Sequence, residues 1–105
     1  MQLSENQPFT KRVLFVSRFE LELASVLNFL YESGYDAIGA LQNDEAFRFF
    51  DEHDPHILII SKNVDDVSKA SFKELFLQKK TSLTIIEHPG GISALKLLIE
   101  KNSHI

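Results

Sequence analysis

The chain has 105 residues, enough for one domain and too few for two ordinary ones. Its apolar content of 44% with nine Phe can form one real core, and a net charge of -4 with no basic stripe argues against direct nucleic-acid binding. The absence of cysteine excludes disulfides, thiolate catalysis and Cys-based zinc sites together.

Residues 1–10 are polar and lack the apolar core of a signal peptide, so they read as a disordered lead to a single domain over residues 11–105. No apolar run approaches the roughly 18 residues of a membrane span. A cytoplasmic protein with no membrane contact is expected. Val13 to Val16 is a continuous apolar run, suited to a strand buried on both faces. The spacing of Leu23, Val26, Leu27, Leu30 and Tyr31 predicts an amphipathic helix over residues 20–33, with Gly34 as its stop. A second, weaker strand is expected over residues 36–41.

Asn43 is the expected cap of the next helix, with Asp44 and Glu45 in its first turn and Ala46, Phe47 and Phe50 on its buried side. Asp54-Pro55 ends it, because the residue before proline avoids helical geometry. Ile57 to Ile60 is the strongest strand signal in the chain. A polar loop over residues 61–68 should precede a helix over residues 71–80, where Ser71 and Glu74 have capping-box spacing and Phe72, Leu75 and Phe76 face inward. Residues 83–86 make a fourth strand. Pro89-Gly90-Gly91 turns the chain into a last helix carrying Ile92, Leu95, Leu98 and Ile99. Regular alternation of strands and helices predicts an α/β, flavodoxin-like three-layer sandwich with a parallel sheet of about four strands in the order 2-1-3-4.

From Lys11 to its end the chain resembles a response-regulator receiver domain. The resemblance is carried by Arg12–Val16, the Gly34-Tyr35 turn into residues 36–40, the segment 43–50, and Pro55-His-Ile-Leu-Ile-Ile-Ser61. It implies a five-stranded scaffold in bacterial-type two-component signalling. It also exposes departures. Ser61 stands where the family has its phospho-accepting aspartate. Ser17, Arg18 and Phe19 stand where it has an acidic cluster for magnesium, a hard cation that wants carboxylate oxygens. Glu87 maps to the switch hydroxyl. The chain has room for only four strands, so its last unit aligns with either the fourth or the fifth family unit. In the second alignment His88 takes the place of the family's lysine. Ser17, Arg18, Ser61, Glu87 and His88 are thus the degenerate equivalents of the phospho-pocket.

Each of these residues also has a plainer reading. Ser61 is either a kinase target or a small polar strand end. Arg18 either pairs with Asp65 or Asp66 beside the old pocket or is a solvated loop residue. Asp65-Asp66 either holds a cation or is solvated. His53 and His56 are separated by Pro55, which spoils shared-face metal geometry. His88 is an acid–base or pH-sensing partner of Glu87, or is structural. Phe49, Leu77 and Leu97 fall off their helices' main apolar faces. The wide apolar set Leu95, Leu97, Leu98 and Ile99 favours a homodimer through the last helix, with Phe49 as a further surface candidate; the free edge of the fourth strand is the alternative.

The expectation is a pseudo-receiver: a non-phosphorylatable interaction module that binds itself or an unidentified signalling protein. It needs no metal and no cofactor, and with no nucleophile–base–orienter set it is not an enzyme. The alternative is a small α/β domain that binds an anionic ligand or nucleotide at the carboxyl ends of its strands, with Arg18 and the Gly90-Gly91 turn gripping the anion.

Overall fold

Short apolar strands alternate with helices along the whole described chain. The computed structural model describes residues 11–88, 90 and 92–103. The elements are β1 (Arg12–Val16), α1 (Glu20–Glu32), β2 (Asp36–Ala40), α2 (Asn43–His53), β3 (Ile57–Ser61), α3 (Asp66–Lys79), β4 (Thr84–His88) and α4 (Ile92–Ser103). The four strands form one parallel sheet in the order β2-β1-β3-β4, the flavodoxin-like order expected from the sequence. The expected lead over residues 1–10 lies outside the described residues, as do Pro89 and Gly91 of the turn before α4.

β1 and β3 are central, so both faces of each are covered, and this is why Val13–Val16 and Ile57–Ile60 are continuously apolar rather than alternating. Leu14, Val16, Leu58 and Ile60 pack against Ala46 and Phe50 of α2 and Phe72 and Phe76 of α3. Val13, Phe15, Ile57 and Ile59 pack against Val26 and Leu30 of α1 and Leu95 and Ile99 of α4. The α2/α3 side is aromatic. The Phe76 ring stacks on Phe50 at 4.2 Å and on Phe72 at 5.5 Å, while Phe47 meets Phe76 edge-on at 5.1 Å. Each such ring contributes about 1.5–3 kcal/mol by burial.

Gly34 stops α1 as expected. At φ 93° it occupies the left-handed region that glycine tolerates, Tyr35 N–H donates to Leu30 O at 2.9 Å, and Gly34 N–H donates to Tyr31 O at 3.1 Å. Several expectations need correction. Tyr31 is not a core residue: it is 56% exposed and its hydroxyl donates to Ala37 O at 2.7 Å. α3 begins at Asp66 rather than at residue 71, because Asp65 accepts the Ser68 N–H at 2.9 Å and is the stronger cap. That phase buries Ser68, Phe72 and Phe76 at i, i+4 and i+8 and leaves Leu75 exposed. Gln42, not Asn43, precedes the first turn of α2, where the Glu45 carboxylate accepts from the Leu41 and Gln42 N–H groups. β4 extends to His88, past the predicted end at residue 86.

The expected contact surface of Leu95, Leu97, Leu98 and Phe49 does not exist as one patch. Leu95 is fully buried, Leu98 packs on the α1/α4 core, and Phe49 packs on the α2/α3 core across the sheet. Of the four, Leu97 is the one left prominently exposed, at 68%.

Candidate functional site

Strand register decides which side chains meet at the carboxyl edge of the sheet. Val16 pairs with Ile60, so Ser17 follows beside Ser61, and Ser61 pairs with His88. Alternation along the strands puts these three on the face of Phe15 and Ile59, under α1. All three are buried.

A carboxylate from α1 fills the space between them. Glu22 Oε1 accepts from Ser17 Oγ at 2.6 Å, from Ser61 Oγ at 2.6 Å and from Asn63 Nδ2 at 2.8 Å. The Asn63 amide is oriented by the Arg18 N–H, which donates to its Oδ1 at 2.8 Å and so ties the β1–α1 loop to the β3–α3 loop. His88 Nε2 lies 3.7 Å from Glu22 Oε2. Because Gly90 N–H donates to His88 Nδ1 at 3.3 Å, the neutral ring carries its proton on Nε2, facing the carboxylate. The ring is also held edge-on to Phe15, with centroids 5.9 Å apart. Burial pushes the Glu22 carboxyl up, but the hydrogen bonds from Ser17, Ser61 and Asn63, with His88 alongside, outweigh it and hold the group ionised below its ordinary value. Burial pushes the His88 imidazole down, Glu22 pulls it up less strongly, and Lys62 adds to the downward shift.

The five residues singled out from the sequence therefore separate. Ser17, Ser61 and His88 converge on one point. Arg18 does not join them: its guanidinium donates to Leu41 O at 2.9 Å and to Asn43 Oδ1, and it sits 3.5 Å from Asp65. Arg18 thus lies on the β2 side of the sheet while Gly90 follows β4 at the opposite edge, so the two do not grip one anion. Glu87 points to the other face, where it pairs with Lys73 and lies 4.0 Å from Lys69; the Lys73 hydrogen bond leads in holding its carboxyl below the usual range. Glu87 and His88 are neighbours in a strand and face opposite ways, so they form no acid–base couple. The carboxylate that meets His88 is Glu22.

His53 and His56 also part: Arg12 N–H donates to His56 Nδ1 at 2.9 Å, while His53 Nε2 lies 3.3 Å from Asp36 O. Among the described residues no group of three or more His, Asp or Glu is placed to hold a metal ion. An open crevice of about 600 Å³, lined by Arg18, Glu20, Leu41, Gln42 and Asn43, adjoins the cradle on the β2 side.

Two residues of the site, Glu22 and Asn63, are missed by the reading of the sequence. A signal for Glu22 was present. Val26 and Leu30 are the fully buried stripe of α1, and one turn earlier that stripe lands on Glu22. A carboxylate at the head of a buried stripe needs donors, and strand-end serines supply them. Asn63 lies in a loop with no periodicity to announce it. Comparison with protein-family models and with curated proteins finds no match for this chain.

Proposed function

We propose that the chain is a receiver-like interaction module that works without phosphorylation, binding a second copy of itself or a signalling protein. The observation that supports this reading is the Glu22 carboxylate at the centre of the strand ends, with three hydrogen bonds to one of its oxygens. In a receiver, that space serves the phosphoryl group and its metal. Here Ser61 and Ser17 replace the carboxylates such chemistry requires, and a side chain of the protein occupies their common focus. A switch with its pocket already filled has one state to offer, so its contribution is a fixed surface. The edge of β4 and the exposed Leu97 on α4 are the parts of that surface suited to self-association. Sedimentation of the chain with and without acetyl phosphate and magnesium tests the reading. The expected result is one association state in both conditions, weakened by Leu97→Asp. A state that changes on adding the phosphodonor would count against it.

The crevice beside Arg18 favours a second reading, in which a small anion binds at the β2 side of the strand ends. A thermal-shift screen with nucleotides and phosphates separates the two. Stabilisation by one ligand class, abolished by Arg18→Ala, would favour the anion-binding domain.

A further inference from the structure

The cradle around Glu22 has the make-up of a binding site, and its contents are unusual only in being covalently attached. Two buried hydroxyls, one loop amide and one buried imidazole come from three separate segments, at Ser17, at Ser61 with Asn63, and at His88. None of these polar groups could lie at the end of a buried strand without a partner, since an unmet buried donor carries its full desolvation cost. The two hydroxyls and the amide all donate to one carboxylate oxygen, and the imidazole lies 3.7 Å from the other. Three donors converge on Oε1 and the imidazole faces Oε2, so the cradle accommodates two oxygens and a single negative charge. A phosphate would bring more oxygens and more charge than the three hydrogen-bond donors and the imidazole of the cradle meet.

We propose that Ser17, Ser61, Asn63 and His88 form a carboxylate-binding site whose resident ligand is the chain's own Glu22, and which takes a free small carboxylate such as formate or acetate once that side chain is removed. Held on α1, the resident carboxylate acts at the high effective concentration of an intramolecular group, which keeps the intact protein closed to outside carboxylates. The site stands on this geometry and does not rest on the receiver-like reading, so either can fail without the other.

The test is the melting temperature of the wild type, of Glu22→Ala and of Glu22→Ala/Ser61→Ala, each in formate, phosphate and chloride at matched ionic strength. A ligand that binds the folded state alone raises the melting point by mass action. The expected result is that formate raises the melting temperature of Glu22→Ala over chloride by roughly 4 °C or more, an increment absent from the wild type and from the double variant. An equal response to formate and chloride would overturn the proposal, and so would a larger response to phosphate than to formate. If Glu22→Ala does not fold in chloride, refolding from urea decides: recovery in formate supports the site, and recovery in neither salt overturns it.

Discussion

At the scale of single residues, the site is governed by charge balance in a space that admits one anion. Ser61 is fully buried with its hydroxyl 2.6 Å from the Glu22 carboxylate. Ser61→Asp would set a second carboxylate against the first. We expect it to destabilise the fold by about 3 kcal/mol, the scale of an uncompensated buried charge, and Glu22→Gln on that background to recover part of the loss. Urea unfolding of the two single variants and the double variant measures the coupling; additive effects would mean the two side chains do not meet.

The histidines give a pH dependence at the same scale. Burial, then the charges of Lys80, Arg12 and Lys11, holds His56 below its ordinary value of 6.5 against a smaller upward pull from Asp54, and His88 is shifted in the same direction. The unfolded chain therefore takes up protons at a higher pH than the folded one. Stability from both imidazoles is complete above about pH 6.5 and is lost as pH falls through their folded values. The urea midpoint should be lower near pH 5.5 than near pH 7.5; equal midpoints would show that neither ring is held neutral.

At the scale of elements, helix ends carry much of the local specification. Asp65 begins α3 by accepting the Ser68 N–H, and its carboxyl is held below the usual range chiefly by that bond. Asp65→Ala should lower the urea midpoint by removing the cap, and Gly34→Ala, which forces a side chain into the left-handed region, should lower it through a loss of about 1 kcal/mol of stability. Circular dichroism during urea unfolding reads both; a neutral Asp65→Ala would return the start of α3 to residue 71. These ends also explain what could be read from the sequence. The Gly34 stop is a backbone requirement visible in one letter. The start of α3 is hard to read because Ser71 and Glu74 mimic a capping box while the cap in use sits six positions earlier, at Asp65. Tyr31 has the helical spacing of a core residue, but its hydroxyl needs the Ala37 carbonyl and takes the ring to the surface.

At the scale of the whole molecule, parity along the strands links fold to site. The regular alternation of strands and helices was enough to predict the sheet order, and the continuous apolar runs of β1 and β3 fit their central places. It was not enough to place Glu87. His88 shares the face of Ser17 and Ser61, and a shift of one residue sends Glu87 to Lys69 and Lys73 beneath α3. α2 and α4 cover opposite faces of the sheet, so no single apolar face joins Phe49 and Leu97. The filled cradle occupies the middle of the sheet's carboxyl edge with the protein's own groups and leaves the crevice beside Arg18 open.

The most direct test of a filled pocket is a backbone amide NMR titration with magnesium and beryllofluoride, a mimic of the phosphoryl group. A self-satisfied cradle predicts no saturable shifts at Ser17, Ser61, Asn63 or His88. Saturable shifts clustered on those residues would contradict it, because Glu22 would then have to yield its place to a phosphoryl-like ligand.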